Sequence, residues 1–219
     1  MIQPLDAAAR IVLRKRKDHL EIVAGNVVLL SSAALETELA FGRLAAGLLP
    51  ALAERAGRPP ARVLVGGLGF GATLRGVLDV VPAGARVVVV EKVNAVVDLV
   101  RGSLAHMANR PLDDPRVELV AGDVGEVVAD EGSFDVLLLD VDNGPHWATF
   151  RHNARLYSPA GLAAFRRALV PGGAMAVWSG YPADAFCGRL REAGFDPSIV
   201  PLAERGVTRA RAYVGRVRP

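Results

Sequence analysis

The residues whose types and spacing could do chemistry are a run of glycines and two acidic strand ends. Gly66-Gly67-Leu68-Gly69-Phe70-Gly71 follows the apolar run Val63-Leu64-Val65 and leads into Ala72–Leu78, where Leu74, Val77 and Leu78 recur at helical spacing. Glycines at a strand-to-helix turn let the backbone approach a ligand, and the free N–H groups of the helix start can donate to it. A second apolar run, Arg86–Val90, ends in Glu91-Lys92. An acid there can accept hydrogen bonds from both hydroxyls of a ribose. The pairing of glycine turn and acid points to a nucleoside-like ligand held by Gly66, Gly67, Gly69, Gly71, Glu91 and Lys92. Without the acid, the glycines would fit a bare strand–helix turn equally well.

Gly122-Asp123-Val124 follows a third apolar run. Asp123, or the backbone of Val124, could read the amino group of a base. Asp is also a preferred helix N-cap, and the two roles are compatible. The strand-like Phe134–Leu139 opens into Asp140-Val141-Asp142-Asn143-Gly144-Pro145. In open parallel sheets ligands sit beyond the carboxyl ends of the strands. Acids there can hold or deprotonate a nucleophile, whereas a simple Asx turn would explain the same residues without function. Asp140 is the candidate base and also borders the nucleoside ligand. Asp142, Asn143, His146, Trp147, Tyr157 and Trp178 are candidate substrate contacts, with His146, Trp147 and Tyr157 on a long loop and Trp178 at the end of the next strand. His146 and His152 fit no familiar zinc spacing, and no metal is expected.

The elements that must position these groups alternate. Strands are expected over 62–66, 86–91, 116–121, 134–140 and 173–179, with helices near 72–80, 93–108, 123–130, 159–169 and 183–193. Such alternation implies a mostly parallel sheet with helices on both faces. Segments 196–201 and 208–216 read as a closing antiparallel hairpin around Arg205-Gly206. Short strands near 11–13, 19–23 and 27–30 precede a helix expected over 33–56, and Arg58-Pro59-Pro60 breaks the chain there. The expected division is a short N-terminal β-hairpin region plus helix over 1–57 and an α/β domain over 58–219.

The chain has 219 residues, of which 51% are hydrophobic, and can bury a full core. No apolar stretch is long enough to span a bilayer, and the start carries no signal-peptide pattern. Cys187 is the sole cysteine, which excludes an internal disulfide or a cysteine-cluster zinc site. A cytoplasmic location is expected. The formal charge is only +3, and the one dense basic run, Arg14-Lys15-Arg16-Lys17, reads as a solvated hairpin face rather than a nucleic-acid patch.

Taken together, Val65–Leu78, Glu91, Gly122-Asp123, the Asp140 strand end and Pro171-Gly172-Gly173 resemble the class I S-adenosylmethionine-dependent methyltransferase superfamily. Gly71-Ala72-Thr73-Leu74-Arg75, the Asp140 loop and Leu156-Tyr157-Ser158 bring the chain nearest to its spermidine synthase-like branch. The resemblance implies a Rossmann-like seven-stranded sheet, an S-adenosylmethionine-type donor (intact or decarboxylated) and alkyl transfer to a small-molecule acceptor. A second copy of the chain is an expected partner, while membrane and nucleic acid are not. Several positions depart from the branch. The turn Leu68–Gly71 lacks the acid that meets the donor's ammonium. Ala24-Gly25 replaces an Asp-Gly turn, with no Gln after it. Glu38–Arg43 lacks the polyamine-binding triplet of the first helix, and Asn143 stands where a second acid is found. Methyl transfer to an amine or hydroxyl acceptor with one functional group is therefore expected ahead of aminopropyl transfer, with a non-catalytic nucleoside-binding relative as a further alternative. Asp140-Val141-Asp142 also resembles the acid motif of metal-dependent O-methyltransferases, but the Asp-Asn pair that completes their metal site is absent.

Overall fold

The computed structural model describes residues 2–6, 11–25, 27–50, 57, 59–128, 133–141, 144–145 and 151–218. Its centre is a seven-stranded sheet built from β5 (Arg62–Gly66), β6 (Arg86–Glu91), β7 (Val117–Ala121), β8 (Phe134–Leu139), β9 (Leu169–Ser179), β10 (Asp196–Glu204) and β11 (Val207–Arg216). The order is β10-β11-β9-β8-β5-β6-β7. Strands β5 to β9 are parallel, and β11 runs antiparallel to both β9 and β10. The strand order turns back between β5 and β8, which opens a crevice at their carboxyl ends.

The central strands are buried on both faces, which explains near-continuous apolar runs such as Val87–Val90. Val63, Val65, Val87, Val89, Val136 and Leu138 share one core cluster, and Leu64, Val88, Val90, Leu137 and Leu139 share the other. The first face is covered by α1 (Leu35–Arg43), α2 (Ala45–Leu48), α3 (Ala72–Val80) and α4 (Asn94–Arg101). The second is covered by α5 (Val124–Val127), α6 (Pro159–Ala168) and α7 (Phe186–Glu192). Local chemistry sets several ends. Ser158 caps α6 by accepting from Gly161 N at 3.2 Å, with Pro159 at the first helical position. Arg116 donates to the Leu78 and Val81 carbonyls at the end of α3.

The N-terminal part is a four-stranded antiparallel sheet of β1 (Ile2–Asp6), β2 (Ile11–Lys15), β3 (Leu20–Ala24) and β4 (Val27–Ser31). It is larger than the expected hairpin, because β1 pairs along β2. The basic run turns inward on an acid: Arg14 Nη2 and Arg16 Nε lie 2.6 and 2.9 Å from Glu21 Oε2. Two expected helices are broken. Residues 93–108 divide into α4 and a 3-10 turn at Ala105–Ala108, separated at Gly102. Residues 33–48 divide into a 3-10 turn, α1 and α2, and 51–56 lie outside the described residues. Strand β9 starts at Leu169, and the Pro171-Gly172-Gly173 segment forms an irregularity within it, with Gly172 at φ 77°. No helix among the described residues is long and apolar enough to cross a membrane.

Candidate active site

The register of the sheet lines up the chemistry along one edge. Gly66 pairs with Val90 and with Leu139, and Leu139 pairs with Val177. The next residues, Glu91, Gly67, Asp140 and Trp178, therefore stand side by side at the carboxyl ends of β6, β5, β8 and β9. Neighbouring strands lie about 4.8 Å apart. All four follow the alternation of the first core face.

The glycine turn is shaped by close approach. Gly67, Gly69 and Gly71 have φ of 91°, 53° and 87°, a region in which a side chain is strained. A Cβ on Gly67 would also collide with the Asp140 carbonyl oxygen. Gly66 fits against Leu139 and Val124, each 3.0 Å from where its Cβ would be. Val124 itself is buried in the second core, beneath this turn. Glu91 is only 9% exposed and ties the turn from below: Oε2 accepts from Leu68 N at 2.9 Å and Oε1 from Val93 N at 2.7 Å. Each oxygen keeps a further lone pair for a hydroxyl donor.

Asp123 is the N-cap of α5, accepting from Gly125 N at 3.0 Å. It is also ion-paired to Lys92 at 3.2 Å and to Arg155 at 2.6 Å. Burial works to raise its carboxyl, but the Gly125 N–H and the two cations outweigh it and hold the group below the usual carboxylate range. Arg155 gave no sequence signal. It sits in the 3-10 segment Arg151–Tyr157, which brings it against the Gly125 turn.

Asp140 is half-buried at the mouth of β8, with its backbone N–H donating to Gly66 O at 2.8 Å. Burial pushes its carboxyl up to about 6, opposed by a 2.6 Å hydrogen bond from Thr73 Oγ1 to Oδ2. A second acid was missed in the sequence. Glu38, on α1, is 8% exposed, and both burial and the Asp140 charge push its carboxyl well up. It comes here because α1 and α3 meet backbone to backbone: Gly42 and Gly76 face each other, with the Gly42 Cα 3.0 Å from where a Gly76 Cβ would stand. Thr73 Oγ1 lies 3.2 Å from the Glu38 carbonyl oxygen. The sequence offered a place for a second acid only at position 143; the fold brings Glu38 of α1 to the Thr73 that holds Asp140. Two close carboxylates favour sharing one proton over ionising together.

Trp178 flanks Asp140 on the far side from the glycine turn. Tyr157 is not brought to this group: it is buried in the second core, edge-on to Phe186 with ring centroids 5.9 Å apart. Asp142, Asn143, His146 and Trp147 lie outside the described residues.

The model of the spermine/spermidine synthase domain matches residues 49–182. The chain belongs to the spermine/spermidine synthase family. Family membership makes it a transferase. The spermidine synthase of Thermotoga maritima superposes with a TM-score of 0.73 at 19% identity, over 96% of this chain and 69% of that one. A spermidine synthase in complex with the transition-state analogue AdoDATO gives 0.72 at 19% identity, over 94% of this chain and 70% of that one. The CurJ carbon methyltransferase gives 0.52 at 13% identity, over 74% of this chain and 49% of that one. At these identities the likeness establishes the Rossmann-like fold. No curated protein sequence matches the chain. Methyl transfer gains no support from the family; the aminopropyl alternative does.

Proposed function

We propose that this chain transfers an aminopropyl group from decarboxylated S-adenosylmethionine to a small amine. The observation that carries the reading is the meeting of Asp140 and the Glu38 turn of α1 on the Thr73 hydroxyl, beside the glycine turn, in a member of the spermine/spermidine synthase family. The residues fit an adenosyl donor. Glu91 would accept from the ribose hydroxyls, the Gly67–Gly71 backbone leaves room for the chain leading to sulfur, and Asp123 with Val124 would border the base. The donor supplies a carbon activated by a sulfonium, so that the new C–N bond forms as the C–S bond breaks and a thioether leaves.

The acceptor amine arrives as an ammonium, and ionised Asp140 receives its hydrogen bond. Because burial raises the affinity of Asp140 for a proton, it is a stronger base than an exposed carboxylate. It takes one proton from the ammonium and frees the lone pair for attack. Thr73 holds the receiving carboxylate in place, and its hydroxyl can turn to the Glu38 carbonyl once Asp140 is protonated. Asp140 then passes the proton to solvent, and the pair returns to one shared charge.

A second reading, methyl transfer from intact S-adenosylmethionine, is favoured by one observation: Leu68-Gly69-Phe70-Gly71 carries no acid to meet a lone donor ammonium. Calorimetric titration with both donors separates the readings. Tighter binding of the decarboxylated donor is expected; a preference for the intact donor would favour methyl transfer.

A further inference from the structure

Next to Asp140 lies a buried hydrogen-bond donor that the reaction above does not use. Trp178 and Asp140 are the residues that follow Val177 and Leu139, the last pair of the parallel β8–β9 register. Val136, Leu138, Ala174, Ala176 and Trp178 share the first core cluster, and Asp140 reaches Thr73 of α3 on that same face. Trp178 is 7% exposed, and its six-membered ring lies 3.1 Å from where a Gly180 Cβ would stand. Its indole Nε1 is buried and has no hydrogen-bond partner among the described residues. Native proteins seldom leave such a group unpaired.

An indole N–H can only donate, and an ammonium can only donate. A plain diamine gripped by Asp140 and Glu38 therefore offers Trp178 nothing to bind. A carboxylate would accept the bond, but it would be repelled by the neighbouring acid pair. A neutral oxygen meets both conditions. We propose that the acceptor is a primary amine that also carries a neutral oxygen, a hydroxyl or an amide carbonyl, with the amine on Asp140 and the oxygen on Trp178 Nε1. This rests on the amine-acceptor reading above and narrows its substrate class.

Aminobutanol and putrescine differ only in a hydroxyl in place of one ammonium, which makes them the probes. Each is titrated calorimetrically into protein saturated with methylthioadenosine, so that turnover is not needed. Aminobutanol is expected to bind about tenfold tighter, equivalent to about 1.4 kcal/mol, the range for an unmet buried donor. Trp178→Phe should erase that difference, with methylthioadenosine binding serving as the check on its fold. Should the variant not fold, the wild-type comparison decides alone. Putrescine binding as tightly as aminobutanol, or tighter, overturns the narrowing and leaves the amine-acceptor reading standing. A preference that survives Trp178→Phe overturns the assignment to Trp178. Binding of methylthioadenosine with neither amine overturns both readings.

Discussion

Asp140→Asn should make the protein more stable at alkaline pH while destroying its activity. Burial raises the carboxyl from its ordinary value of 3.8 to about 6 in the folded state. The folded protein therefore holds this proton more tightly than the unfolded chain does. The associated stability is complete below the ordinary value and is lost as pH rises through about 6. A shift of this size corresponds to about 3 kcal/mol at most. Asp140 is half-buried, and water at its open side screens part of the cost, leaving about 2 kcal/mol. Asn keeps an oxygen to accept from Thr73 but never ionises. At pH 8 the variant should gain about 2 kcal/mol, or about 5 °C in Tm; at pH 4 the two proteins should melt together. Turnover should fall by two orders of magnitude or more, as for loss of a general base. Thermal melts at both pH values, set beside rate measurements, check all of this. A variant less stable than wild type at pH 8, or equally displaced at both pH values, would refute the claim that a partly desolvated carboxylate sits here.

The same ionisation should appear in the pH profile: kcat/KM should rise with pH through about 6, and a profile without that ascending limb removes Asp140 as the base. Glu91→Gln should weaken methylthioadenosine binding about tenfold, or about 1.4 kcal/mol, because one charge-assisted acceptor is lost; unchanged affinity in a folded variant excludes Glu91 from the site. Gly67→Ala forces a side chain at φ 91° against the Asp140 carbonyl, so it should cost at least about 2 kcal/mol in urea unfolding and abolish donor binding. Wild-type behaviour in either measurement would mean that the turn does not hold this shape.

The elements around the glycine turn were legible because each carries its own signal. An apolar run stops at Gly66, helical spacing resumes at Ala72, and four valines lead to Glu91, so β5, α3 and β6 fall where they were expected. The expected helix over 93–108 ends early because Gly102 takes a non-helical conformation, φ −106° and ψ −112°, after Arg101. Strand β1 carries little alternation in Ile2-Gln3-Pro4 and is held by its pairing with β2, a non-local cause. Asp140 was legible as a polar break after an apolar strand. Glu38 was not, because its position depends on Gly42 meeting Gly76 on another helix, a contact with no local periodicity. Arg155 likewise reaches Asp123 only through the fold. Tyr157 shows the converse: an aromatic residue beside a candidate loop proved to be core packing.

The central claim is that Asp140 at the mouth of β8, with Glu38 of α1 beside it, serves aminopropyl transfer to an amine. The most direct test is to incubate the protein with decarboxylated or intact S-adenosylmethionine, each in parallel with putrescine and with aminobutanol, and to follow the products by mass spectrometry. Methylthioadenosine should appear in equal amount with the aminopropylated amine, and Asp140→Asn should suppress both together. Failure to consume the decarboxylated donor, with S-adenosylhomocysteine formed instead from the intact one, would contradict it.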